Sequence, residues 1–177
     1  MTAYVAMLRG INVGGHAKLS MANLRAAFAA MGHEDVQTYI QSGNVLFRAR
    51  APAAQTQAAI EMGLEQRFGL VTTVVLRTDS QLAAVVAHNP LTAGARNPAK
   101  LHVTFLATKP APSRVAELDS AAFLPDELRV VGREVYLHCP DGYGRTKLHN
   151  AFFERSLQVV ATTRTWNTVT TLARMMS

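Results

Sequence analysis

The sequence contains a single cysteine, and this scarcity bounds both its chemistry and its location. Cys139 cannot form a disulfide within the chain, and proteins that lack disulfides are typical of a reducing compartment, so we expect a cytoplasmic protein. No run of about 18 apolar residues occurs, which argues against a transmembrane helix. The first residues also lack the basic leader and the small-residue cleavage site of a secretory signal.

Charged residues are scarce as well, and acidic residues are the scarcest. Asp, Glu, Lys and Arg make up 17% of the 177 residues, with 18 basic side chains, 12 acidic side chains and a net charge of +6. Residues 1–33 and 88–115 contain no acid. A positive field attracts anions, so the charge favours an anionic partner, although no basic run is dense enough to define a nucleic-acid patch by itself. General solubility is the alternative explanation for this charge.

Hydrophobic residues make up 49% of the chain, and their pattern predicts an α+β fold. Residues 1–78 follow the order β-α-β-β-α-β, which predicts a ferredoxin-like subdomain. Ser20 is the predicted N-cap of its first helix. The predicted strands are 3–11, 36–41, 45–48 and 72–77, and the predicted helices are 20–31 and 54–68.

Residues 79–177 predict a second, smaller α+β subdomain. It begins with a helix at 79–88 and a loop with Pro and Gly at 89–100, and it continues in the order β-α-β-β-α-α. Several strands are apolar on both faces, so we expect the sheet face opposite the helices to be covered, by the second subdomain or by a second copy of the chain in a homodimer. The predicted strands are 101–107, 128–131 and 134–139, and the predicted helices are 113–120, 146–158 and 167–176.

A glycine-rich loop follows the first predicted strand and leads into the first predicted helix. Glycines let the backbone approach a ligand closely, and a helix N-terminus favours anions. The spacing matches neither a P-loop nor a dinucleotide-binding motif, and a tight crossover loop without ligand is the structural alternative. The candidate ligand-binding residues are Arg9, Asn12, Gly14, Gly15 and Lys18.

A second basic glycine loop follows the strand predicted at 134–139. Because both loops leave a strand, carry cations and enter a helix, we expect their cations to form one anion-binding surface with exposed backbone N–H groups. Acids that pair with these cations are the structural alternative. The candidate residues in this loop are Gly142, Gly144, Arg145 and Lys147.

A third candidate segment precedes the last predicted helix. Arg164 and Asn167 can contact an anion while Trp166 stacks on a base. The structural alternative is a helix start in which Thr165 or Asn167 is the N-cap and Trp166 packs against the core.

The turn Gln41–Asn44 groups polar residues between two predicted strands, and its composition is first of all a turn signal. We expect it at the edge of the sheet where strand one starts, opposite the glycine loop that ends this strand. The two motifs are therefore not expected to build one pocket.

Nucleophilic and metal chemistry have little support in the sequence. Cys139 is predicted to be a buried thiol that reacts slowly, and no metal site is predicted, because His102 and His138 can meet across a sheet but lack a third ligand. The acids Glu117, Asp119, Asp126 and Glu127 are predicted to form a solvated edge. No catalytic residue and no cofactor is assigned.

Several of these motifs together resemble an uncharacterised, mainly bacterial family, the domain of unknown function 1697. Thr146 and Thr165 depart from its pattern, which has Ser and Asn at these positions. The resemblance implies two α+β subdomains, the first ferredoxin-like, and it implies no activity. The matching segments, which extend over nearly the whole chain, are Leu8–Gly15, Val36–Val45, Gly142–Leu148 and Ala161–Val169.

The leading functional hypothesis is the binding of an anionic ligand through the basic glycine loops, whether a nucleotide, a phosphorylated small molecule or a nucleic acid. One alternative is an enzyme that acts on a phosphorylated small molecule, which would show a perturbed titratable group in a cleft. The other is a structural or interaction module that uses an apolar sheet face. An RNA-recognition motif is disfavoured, because Tyr4 and Phe47 lack the basic and glycine context of that signature.

Overall fold

The computed structural model describes residues 1–12 and 18–177 and has an α+β fold with two compact units. The first unit comprises Met1–Leu82 and Arg174–Ser177, and the second comprises Ala83–Ala173. Compactness does not establish independent folding, so the division into subdomains after residue 78 stays a prediction.

The first unit contains an antiparallel four-stranded sheet in the order β2-β3-β1-β4, with two helices. This order is that of a ferredoxin-like fold, in agreement with the sequence-based prediction. Its elements are β1 (Thr2–Leu8), α1 (Met21–Ala30), β2 (Glu34–Tyr39), β3 (Asn44–Ala49), α2 (Ala53–Phe68) and β4 (Val74–Thr78).

The core of the first unit lies between this sheet and the apolar faces of α1 and α2. Leu24 and Phe28 of α1 are fully buried in the same cluster as Ile60 of α2 and Phe47 of β3. Helix α1 begins where the sequence predicts, because the Ser20 side chain accepts a hydrogen bond from the Asn23 N–H. This cap fixes the point at which the chain leaves the glycine loop.

The second sheet is also antiparallel and has the order β6-β7-β5-β8. Helix α3 precedes it, and short 3₁₀ helices lie at Pro98–Lys100, Ser120–Phe123 and Tyr143–Arg145. The elements are α3 (Asp79–Ala87), β5 (Leu101–Leu106), α4 (Pro112–Ala116), β6 (Glu127–Val131), β7 (Glu134–His138), α5 (Asn150–Leu157), β8 (Ala161–Thr165) and α6 (Trp166–Met176).

The second unit differs from the prediction in three places, the first of which is α4, since it ends at Ala116 and not at 120. Strand β8 was not predicted, because its Thr-rich sequence lacks apolar alternation, although β-branched Thr favours strands. Helix α5 begins at Asn150 and not at 146, because the Thr146 hydroxyl accepts a hydrogen bond from the Leu148 N–H and His149 caps the helix. The residues before Asn150 therefore form a loop.

The two sheets share one topology, since β5, β6, β7 and β8 occupy the places that β1, β2, β3 and β4 occupy in the first unit. In each case the first strand has the third and the fourth as its neighbours. The element order predicted from the sequence indicates this repeat only weakly, because β8 is missing from that prediction.

Candidate functional site

The side chain of Asn12 ties together the two ends of the first glycine loop. Its Nδ2 donates to the carbonyl oxygens of Leu19 (2.9 Å) and Gln41 (2.7 Å), and its Oδ1 accepts from the Leu19 N–H (2.8 Å). Asn12 also has a φ of 54°, a left-handed conformation that asparagine tolerates better than most residues. Asn12 therefore connects the loop to Leu19, just before the N-cap of α1, and to the β2–β3 turn. Both polar atoms of its side chain already form hydrogen bonds within the protein.

The β2–β3 turn meets this glycine loop, so the prediction that placed them at opposite edges is wrong. The Leu8 N–H donates to the Gly43 carbonyl (3.0 Å), and Asn44 pairs with Met7 at the end of β1. The physical reason is that α1 returns the chain across the sheet, so that β2 runs parallel to β1 and ends at the same edge.

An open cavity of about 410 Å³ lies at this edge, lined by Asn12, Lys18, Leu19, Ser20 and Gln41. Lys18 is exposed, and the first turn of α1 contains no acid. Arg9 is half-buried, and its backbone bonds to Thr72 and Thr73. The candidates Gly14 and Gly15 lie outside the described residues. The structure thus brings Asn12 and Lys18 together.

The second glycine loop is folded on itself through several backbone hydrogen bonds. The Gly142 N–H donates to Cys139 and the Arg145 N–H donates to Gly142. Gly142 has a φ of 94°, where a residue with a side chain would be strained. The predicted exposure of backbone N–H groups is therefore wrong for Gly142, whose N–H is already bonded.

The acid Asp126 holds the middle of this loop, and its role was not predicted. Its Oδ2 accepts a hydrogen bond from the Thr146 hydroxyl at 2.6 Å, and the same hydroxyl accepts from the Leu148 N–H at 3.1 Å. Twenty residues separate Asp126 from Thr146 in sequence, so no local pattern indicates the contact. It fixes Thr146, which lies between Arg145 and Lys147.

A cavity of about 230 Å³ opens beside this loop. Arg145 and Lys147 line it and are exposed, and neither side chain has a hydrogen-bonding or acidic partner among residues 1–12 and 18–177. The Lys100 ammonium lies close by, 4.0 Å from where a Cβ on Gly142 would be. The remaining lining residues are Ala122, Phe123, Leu124, Pro125, Asp126, Asp141 and Gly142.

The third candidate segment is mainly the start of α6. The Thr165 hydroxyl accepts a hydrogen bond from the Thr168 N–H at 3.2 Å, as expected of an N-cap. Arg164 is buried, bonds to Thr162 through a 2.8 Å contact, and has its pKa lowered to about 10 by burial. Trp166 is half-buried and Asn167 is exposed. Arg164 thus lies in the interior and away from solvent.

Cys139 and His102 are buried and lack the environment of reactive groups. Cys139 is fully buried, as predicted, and burial raises the pKa of its thiol to about 11. His102 stacks on Tyr143 with ring centroids 4.8 Å apart, and burial lowers its pKa. His102 and His138 do not meet, because they lie at adjacent positions of the register and alternate residues of a strand face opposite sides.

Residues 1–12 and 18–177 contain neither a candidate membrane span nor a candidate metal cluster. No helix among them has the length and apolar character needed to span a membrane. No group of three His, Cys, Asp or Glu side chains among them is arranged to hold a metal ion.

Arg96, Glu127 and His138 form a chain of side-chain hydrogen bonds at the start of β6. Arg96 Nε and Nη2 each donate to a Glu127 carboxylate oxygen at 2.8 Å, and His138 Nδ1 lies 3.1 Å from Oε1. The hydrogen bonds from Arg96 are the main cause that lowers the pKa of Glu127 to about 2. Glu127 is therefore a structural anchor for the loop before β5, and its predicted place on a solvated acidic edge is wrong.

Acid should remove the contribution of Glu127 to stability. A carboxylate whose pKa falls from 4.5 to about 2 on folding stabilises the protein above pH 4.5, and this stabilisation is lost as the pH falls toward 2. We expect Glu127→Gln to lower the neutral-pH melting temperature by roughly 2–6 °C, since the pair is partly screened by solvent. The difference in melting temperature between this variant and the wild type should shrink as the pH falls from 4.5 toward 2. The exposed Glu117 is the matched control, and an equal effect of Glu117→Gln would contradict the assignment.

The fold and the two loops define an α+β protein with two ferredoxin-like sheets. The chain belongs to the family described as "Protein of unknown function (DUF1697)", whose model matches residues 1–136. This confirms the resemblance noted in the sequence over that range. The C-terminal motifs at 142–148 and 161–169 lie beyond the matched residues.

One solved structure of the same fold is a conserved bacterial protein, SP0830 from Streptococcus pneumoniae. The two chains are 24% identical, the comparison covers 99% of each, and the TM-score is 0.78. At this identity the likeness concerns the fold alone. No curated protein matches the chain.

Proposed function

We propose that the protein binds a phosphate-bearing anion through Arg145 and Lys147, at the cavity beside the loop after β7. The observation that carries this proposal is the availability of both cations. Each is exposed at the cavity and has no acidic or hydrogen-bonding partner within residues 1–12 and 18–177. Two exposed cations that line one cavity and form no ion pair with any described residue attract an anion.

Several other basic side chains are already engaged, which distinguishes Arg145 and Lys147 from these. Arg96 is bound to Glu127 through both carboxylate oxygens. Arg25 donates to the Thr38 hydroxyl at 2.6 Å, and Arg164 is buried. The net charge of +6 alone is therefore not the basis of the proposal.

The two cations supply complementary contacts to a phosphate group. The planar guanidinium of Arg145 can donate two parallel hydrogen bonds, and the ammonium of Lys147 acts as a point charge. Lys100 adds a third cation near Gly142. Each charge-assisted contact is typically worth about 1.5–3 kcal/mol. Lys18 belongs to the first unit, and a surface shared by Arg9, Lys18, Arg145 and Lys147 stays a prediction.

Isothermal titration calorimetry tests the proposal with a panel that shares the phosphate group. Inorganic phosphate, pyrophosphate, adenosine monophosphate and a single-stranded oligonucleotide are titrated into the protein at low and at physiological salt. We expect at least one of them to bind, with an affinity that falls as salt screens the exposed charges. If none binds at low salt, the proposal fails and the interaction-module alternative replaces it.

A further inference from the structure

We propose that the anion bound at this cavity is the phosphate ester of a polyhydroxylated molecule, such as a pentose phosphate or the phosphoribosyl part of a ribonucleotide. This inference rests on the proposed anion binding by Arg145 and Lys147. It concerns the two carboxylates that line the same cavity, those of Asp126 and Asp141.

The mixed charge of the cavity is the first reason. Two carboxylates repel an inorganic anion, so they lower the affinity of the cavity for phosphate alone. A carboxylate is also a strong acceptor for hydroxyl donors. A ligand that carries both a phosphate and several hydroxyls satisfies both kinds of side chain, with Arg145 and Lys147 on the phosphate and Asp126 and Asp141 on the hydroxyls.

The fixed position of Asp126 is the second reason. Its Oδ2 is bound by the Thr146 hydroxyl at 2.6 Å, and its backbone N–H donates to the Phe123 carbonyl at 2.9 Å. The other carboxylate oxygen, Oδ1, has no hydrogen-bond partner in the described part of the chain. Because Thr146 is flanked by Arg145 and Lys147, one loop sets the spacing between the acceptor and the cations.

The apolar wall and the size of the cavity narrow the ligand further. Phe123, Leu124 and Pro125 line it, and Leu124 is 68% exposed. Such a wall suits the C–H face of a sugar ring. The volume of about 230 Å³ lies below the range of roughly 300–1,000 Å³ for drug-sized ligands. The cavity therefore fits one sugar phosphate better than a dinucleotide, and its two acids disfavour a polynucleotide backbone.

Calorimetry with three ligands tests this inference. The ligands are ribose 5-phosphate, 2-deoxyribose 5-phosphate and inorganic phosphate, and the proteins are the wild type and Asp141→Asn. We expect the wild type to bind ribose 5-phosphate about tenfold more tightly than inorganic phosphate, with the deoxy sugar in between. Asp141→Asn should reduce this preference to about threefold or less, while inorganic phosphate binds equally well or better because a repelling charge is gone.

The control variant is Glu117→Gln, which removes one exposed acid of the same unit outside this cavity and should leave all three affinities unchanged. Equal binding of all three ligands by the wild type would overturn the inference and leave the anion site intact. Preference for a single-stranded oligonucleotide over ribose 5-phosphate, unaffected by Asp141→Asn, would also overturn it. Failure of every phosphate compound to bind would instead remove the proposed function itself.

Discussion

Replacing Gly43 by alanine is expected to lower the melting temperature by roughly 5–15 °C, corresponding to about 2–4 kcal/mol. A Cβ at this position would lie 2.6 Å from Ile11 Cδ1 and 2.8 Å from Ile11 Cγ1, and Gly43 has a φ of 77°. The substitution therefore adds a steric clash to a backbone conformation that L-residues disfavour. Thermal denaturation followed by circular dichroism measures the effect.

Gly10→Ala separates the clash from the backbone strain. Gly10 has a φ of 70°, close to that of Gly43, but a Cβ there would meet nothing within 4 Å. We expect Gly10→Ala to lower the free energy of unfolding only by the cost of backbone strain, roughly 1–2 kcal/mol. If Gly43→Ala lowers the free energy of unfolding no more than Gly10→Ala does, the close contact between the β2–β3 turn and Ile11 is contradicted.

Replacing both Arg145 and Lys147 by alanine is expected to weaken phosphate binding by at least about 100-fold. Each charge-assisted contact contributes about 1.5–3 kcal/mol, or roughly ten- to a hundredfold in affinity. Both side chains are exposed, so the melting temperature should change little. Calorimetric titration with the tightest phosphate ligand of the wild type measures the loss.

The matched control for this variant replaces Lys109 and Arg67 by alanine. Both residues are exposed, and the double substitution removes the same formal charge from other parts of the surface. We expect it to change the affinity by less than about threefold through long-range electrostatics. Equal weakening by the two double variants would mean that overall charge, and not this cavity, governs binding.

The sequence predicts the first unit well because its signals are local. Runs of apolar and β-branched residues indicate its four strands, and Ser20 marks the start of α1 through a cap confirmed by a bond to Asn23. Glycine also marks helix ends, since Gly69 follows α2 with a φ of 65°. Each of these features depends on residues within a few positions of one another.

Features that depend on distant residues were missed. Glu127 is bound by Arg96 across 31 residues of sequence, and Asp126 by Thr146 across 20. The edge at which the β2–β3 turn lies depends on the direction in which α1 returns the chain, which the element order implies but local patterns do not reveal. Of these contacts, the one between Thr146 and Asp126 fixes the loop of the candidate site.

The repeated topology shows that the two basic glycine loops are not equivalent to each other. The first follows β1, whereas the second follows β7, which corresponds to β3 of the first unit. The loops therefore occupy different places in the repeat, although their sequences look alike. Their similarity reflects a shared need for sharp turns at Gly10 and Gly142, where φ is 70° and 94°.

The central claim, anion binding at the loop after β7, is tested most directly by nuclear magnetic resonance. Inorganic phosphate is titrated into ¹⁵N-labelled protein, and the backbone amide and arginine Nε–H signals are followed. The account predicts saturable shifts confined to residues 142–147, Asp126 and the Arg145 side chain, which disappear in the Arg145→Ala, Lys147→Ala double variant. Saturable shifts located elsewhere, or no saturable shift at all, would contradict the account.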